Sequence, residues 1–62
     1  MNKARRNRLE KLIGELVEVR EDEQEAFDNL PESLQSGERG EAIESAIDSI
    51  EEAMDALTEA IT

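Results

Sequence analysis

The side chains able to do chemistry are unevenly placed along this 62-residue chain. Lys3, Arg5, Arg6, Arg8 and Lys11 crowd its beginning, with Glu10 as their one acidic neighbour. The cluster Lys3, Arg5, Arg6 and Arg8 reads two ways. It is an exposed terminus balancing acids elsewhere, or a compact anion site, because guanidinium groups grip phosphate through paired hydrogen bonds. Being short and free of interleaved aromatics, it suits a small phosphorylated molecule better than a nucleic-acid strand. A second group surrounds Pro31: Asn29, Glu32, Ser33, Gln35, Ser36, Arg39 and Glu41, beside Phe27, the sole aromatic. Turns between helices are commonly this polar, yet amide, hydroxyl and guanidinium groups near a ring also suit a base or ribose. Phe27 itself reads most simply as core. The third feature is Glu23, with Arg20 one helical turn before it. A carboxylate there sets register or turns to solvent, or it faces a polar cavity and accepts hydrogen bonds from a ligand.

Catalysis has no constellation here. The chain lacks histidine and cysteine, and Ser33, Ser36, Ser45 and Ser49 have no evident base. The Glu-x-x-His pattern of di-iron bundles is absent, so neither a metal centre nor another cofactor is expected. Glu21, Asp22 and Glu25 read as solvated helix surface. The expected class is a non-enzyme.

Two helical runs must position these groups. From residue 3 to 29, Leu9, Leu12, Leu16, Val19, Glu23, Ala26 and Leu30 recur in steps of three and four, with Ile13 and Phe27 beside them. Gly14 interrupts the run, costs about 1 kcal/mol against alanine, and suggests close approach of another backbone. From 38 to 61 the pattern is cleaner. Ile43, Ile47, Ile50, Met54, Leu57 and Ile61 form a seam centred on Ile50, flanked by Ala42, Ala46, Ser49, Ala53, Ala56 and Ala60. Small residues beside a seam let a further helix lie close, which widens the buried face. The connector spans 30–37. Pro31 ends the first helix, Asn29 with Glu32 resembles a capping box for one short turn, and Ser36 or Gly37 starts the second long helix. The fold expected is all-α: one domain, an antiparallel two-helix hairpin that dimerises into a four-helix bundle.

Composition supports the partner chain. Only 37% of residues are hydrophobic, many of them alanine, and neither a disulfide nor a histidine-containing zinc site is available. Association is the remaining route to a sufficient core, so a homodimer is expected. The net charge is −10. Residues 1–11 hold five basic groups against one acid, +4, whereas residues 12–62 hold two against sixteen, −14. Such a surface repels phosphate and argues against general nucleic-acid binding. Antiparallel packing would set the basic start beside Glu51, Glu52, Asp55 and Glu59. No run is long and apolar enough for a membrane span or a signal segment, and the lack of cysteine suits the cytoplasm.

The stretch Asp22-Glu23-Gln24-Glu25-Ala26-Phe27-Asp28-Asn29-Leu30-Pro31-Glu32-Ser33-Leu34-Gln35, then Glu38-Arg39-Gly40-Glu41 and a Glu-Ala-Ile-rich helix, carries a resemblance. It resembles small helical proteins encoded by phages and prophages of Gram-positive bacteria, over roughly residues 20–60. The Asn29 to Leu34 turn is its most specific part. Some very small phage proteins are antidefence sponges, which hold a host's nucleotide immune signal away from its effector. By size and origin, the resemblance implies sequestration of a cyclic nucleotide or ADP-ribose derivative without cleavage, in the host cytoplasm. Candidate ligand-binding residues are then Arg5, Arg8, Arg20, Glu23, Phe27, Asn29, Ser33, Gln35 and Arg39. The alternatives are an acidic helical dimer that blocks a basic host protein, like a nucleic-acid mimic, and a purely structural dimer.

Overall fold

The computed structural model describes residues 1–61. They form three helices: α1 (Lys3–Asp28), α2 (Glu32–Gln35) and α3 (Glu38–Ile61). Among the described residues there is no strand, so the fold is all-α. At about 1.5 Å per residue, α1 and α3 are about 39 and 36 Å long. They pack against one another, α2 packs against α3, and the Cα trace extends over 48 × 15 × 11 Å. Among the described residues, no helix is long and apolar enough to cross a membrane.

Local chemistry sets the helix ends. Asn2 caps α1: its Oδ1 accepts the Arg5 backbone N–H at 2.9 Å, satisfying a donor the first turn cannot use. At the other end Asn29 is the C-cap of α1, its N–H donating to the Glu25 carbonyl at 3.0 Å. That corrects the capping-box reading. Asn29 closes α1 rather than opening α2, whose N-cap is Pro31 and has no side-chain cap. Pro31 still governs the turn, because its carbonyl accepts from Leu34 at 2.8 Å and Gln35 at 3.1 Å. The third helix begins at Glu38, with Glu38 and Glu41 in a first turn whose dipole favours negative charge.

Burial is sparse. Ile47 and Gly40, both on α3, are the buried residues of the helices. The α3 seam is otherwise as its spacing implies, since Ile43, Ile50, Met54, Leu57 and Ile61 are half-buried. The α1 seam is rotated from the expected one. Ile13, Arg20 and Phe27 are half-buried together with Leu9, Leu16, Glu23 and Leu30, whereas Ala26 is exposed, Leu12 is 48% exposed and Val19 is 46% exposed. Both rows share Leu9, Leu16, Glu23 and Leu30; they differ in which neighbouring line faces α3.

The glycines divide sharply. A Cβ on Gly14 would meet nothing within 4 Å, so no backbone approaches it and the expectation of close approach fails within this chain. Gly14→Ala should therefore raise stability by about 0.5–1 kcal/mol through helix propensity alone. A higher midpoint in thermal denaturation is the check; a lower one would mean that Gly14 is covered in solution. Gly40 is the opposite case. A Cβ there would overlap the Gln35 carbonyl oxygen and lie 2.5 Å from its carbonyl carbon and 2.7 Å from its Cα. Only hydrogen fits between α3 and the backbone of α2.

Candidate functional site

The start of α1 builds a shallow concavity of about 260 Å³ lined by Met1, Arg5, Arg8, Leu9 and Leu12. Helical spacing explains part of it: positions 5, 8 and 12 fall on one side of the helix, so Arg5 and Arg8 share a concavity with apolar side chains. A second concavity, about 270 Å³, adjoins it through Arg8 and Leu12 and adds Lys11 and Glu15. Arg5 and Arg8, two members of the basic cluster the sequence singles out, line the first concavity. Leu9 and Leu12, which also line it, do not stand out, because their spacing places both leucines on the helix seam. The available signal is the Leu12 position, which shares a helix side with Arg5 and Arg8.

The remaining candidates lie elsewhere. From Arg5 to Asn29 along α1 is about 36 Å at 1.5 Å per residue, so Asn29, Ser33, Gln35 and Arg39 sit at the far end from Arg5 and Arg8. Asn29, Ser33 and Arg39 are exposed, Arg39 in the first turn of α3. Gln35 has a structural task. Its Nε2 donates to the Phe27 carbonyl at 3.1 Å and the Leu30 carbonyl at 3.2 Å, pinning α2 to carbonyls at the end of α1. Both amide protons are thereby engaged. The room around Gly40 is filled in the same way by the α2 backbone, so it offers no approach for an anion.

Arg20 and Glu23 lie half-buried on the α1 side facing α3. No described side-chain nitrogen or oxygen is both fully buried and without a hydrogen-bond partner, so Glu23 holds no orphaned buried carboxylate. Phe27 is half-buried and lines a third concavity, about 250 Å³, with Gln24, Glu44, Ile47 and Asp48. Gln24 is in turn held by its own helix, its Nε2 donating to Asp28 Oδ1 at 3.1 Å. This hollow carries two carboxylates and no cation, which disfavours phosphate there. Among the described residues, no group of three or more acidic side chains is placed to hold a metal ion.

Within one chain, then, Arg5 and Arg8 share one concavity with apolar side chains at the α1 start, and the connector's polar groups lie on another surface. The first can receive an anionic group with an apolar portion beside it. Comparison with protein-family models, with curated proteins and with solved structures finds no match for this chain.

Proposed function

We propose that this protein is a non-catalytic capture protein for a small phosphorylated ligand of the nucleotide class, held by Arg5 and Arg8. The observation that supports the reading is that Arg5 and Arg8 line one concavity together with Met1, Leu9 and Leu12. Guanidinium forks suit phosphate oxygens, and the leucine walls suit the flat, less polar remainder of a nucleotide. The ligand class carried by the resemblance to phage proteins, a cyclic nucleotide or ADP-ribose derivative taken up as an antidefence sponge, fits that chemistry. Capture without cleavage also fits a chain with neither histidine nor cysteine.

The scaffold we infer is an antiparallel hairpin of α1 and α3, paired with a second copy as a four-helix homodimer. The hollow shared by Gln24, Phe27, Glu44, Ile47 and Asp48 supports the hairpin, since it joins the end of α1 to the start of α3. The sparse core supports the dimer. In such an assembly, the connector of one copy comes within reach of the other's first turn, where Arg39, Asn29 and Ser33 could add contacts to the ligand.

Replacing both arginines, Arg5→Ala with Arg8→Ala, should weaken nucleotide binding by about 1.5–3 kcal/mol while helicity stays unchanged. Calorimetric titration beside circular dichroism checks both halves. Unchanged affinity in the double variant would remove the site. A second reading has one observation of its own: the −14 charge of residues 12–62 and the carboxylates Glu44 and Asp48 around one hollow. These suit an acidic module docking on a basic host protein. Capture of a defined host protein without nucleotide would favour that module.

A further inference from the structure

We propose that a second copy of this chain docks on one defined face, the one carrying Leu12, Val19 and Ala26 of α1 beside Ala46, Ala53 and Ala60 of α3. This deepens the homodimer reading above and rests on it. Each trio recurs every seven residues, so each forms a line along its helix. At about 100° per residue, the Leu12 line flanks the α1 contact row on the side opposite Gln24. The Ala46 line likewise flanks the α3 contact row on the side opposite Glu44 and Asp48. Gln24, Glu44 and Asp48 share a hollow, so they mark one face of the helix pair. The two apolar lines therefore lie together on the other.

Area argues that this face is covered. A compact protein of 7.0 kDa exposes about 4,000 Å². This chain exposes 4729 Å², and Ile47 is the one buried hydrophobic residue among those described. The excess, about 700 Å², is close to the roughly 800 Å² each partner contributes to a standard interface. Shape and charge select a second copy as the occupant. A line of large residues beside a line of alanines is self-complementary: under a two-fold axis Leu12 and Val19 of one copy meet the alanines of the other. Two chains of charge −10 must also approach through their least charged face, and these six positions hold no carboxylate. Leu12 walls the arginine concavity as well, so the docked copy borders that site. At about 260 Å³ the concavity falls below the roughly 300–1,000 Å³ of small-molecule sites, and a neighbouring surface would deepen it.

The experiment is sedimentation equilibrium of the full chain at micromolar concentration, for wild type and two pairs of single variants. Val19→Arg and Ala53→Arg place a cation on the proposed face; Gln24→Arg and Asp48→Arg place one on the opposite face. The expected result is a wild-type dimer, a dissociation constant raised about a hundredfold or more by the first pair, and little change from the second. All four positions are exposed on the single chain, so loss of helicity in the first pair alone also supports the proposal. A wild-type mass of one chain overturns both the homodimer and this face. A wild-type dimer weakened only by the second pair, by both pairs alike, or by neither overturns the face and leaves the homodimer standing. None of these results touches nucleotide capture, which titration reads separately.

Discussion

Gly40→Ala is expected to destabilise the protein by about 2–3 kcal/mol, although it adds a single methyl group. The added Cβ would enter the Gln35 backbone, which cannot swing aside as a flexible side-chain end can. The connector is also tied from its other side, through the Gln35 amide on the Phe27 and Leu30 carbonyls. Displacing α2 therefore breaks those hydrogen bonds as well as the packing. In a domain of this size such a loss lowers the melting temperature by about 10 °C or more. Gly14→Ala supplies the internal control, since the same chemical change is expected to move the midpoint upward. If both variants melt with wild type, α2 does not pack against α3 in solution.

The second large effect is expected at Ile47. It is the one buried hydrophobic residue among those described, at 9% exposure, and it shares a hollow with Phe27. Ile47→Asp would put a charge at that point with no cation lining the hollow beside it. The cost is about 4 kcal/mol or more, combining the lost apolar contacts with the desolvated carboxylate. A core this small supplies only about 3–5 kcal/mol in total, so the variant should be largely unfolded by circular dichroism. Ser49→Ala, exposed and two positions along, should stay within about 0.5 kcal/mol of wild type. A folded Ile47→Asp protein would show that the buried centre lies elsewhere on α3.

These two sites also show what the sequence made legible and what it did not. The α3 seam was readable because β-branched and long apolar residues repeat without interruption from Ile43 to Ile61. Its deepest point was not, because Ile47 and Ile50 occupy equivalent seam positions; only the approach of α1 near Phe27 separates them. The α1 seam was ambiguous for a physical reason. Leu12, Val19 and Ala26 and the alternative line Ile13, Arg20 and Phe27 both complete a step of three and four around Leu9, Leu16 and Glu23. Arg20 made the second line look less buried, yet a long side chain can pack its stem and keep its head in water. The structure takes that line, and the apolar one is left outside.

Glycine shows the same limit. Gly14 and Gly40 both lie inside helices, and their residue type alone does not distinguish them. One faces open space, while the other meets a backbone carbonyl whose position depends on how α2 folds back. For the candidate site, Arg5 and Arg8 stand out in the sequence as part of a basic cluster in an otherwise acidic chain. Placing them with Arg39, Asn29 and Gln35 needed tertiary information, and a single chain keeps those groups at opposite ends of α1. Gln35 looked like a ligand donor because its amide is chemically suited to a base. Its protons are instead used to close the connector onto α1.

Capture of a phosphorylated nucleotide is tested most directly by calorimetric titration of the intact wild-type protein with cyclic nucleotides and ADP-ribose derivatives, followed by recovery of the ligand. Saturable binding at micromolar affinity or tighter is expected for at least one of them, with the ligand recovered chemically unchanged. No saturable heat from any member of the panel, or recovery of a cleaved product, would contradict capture by this protein.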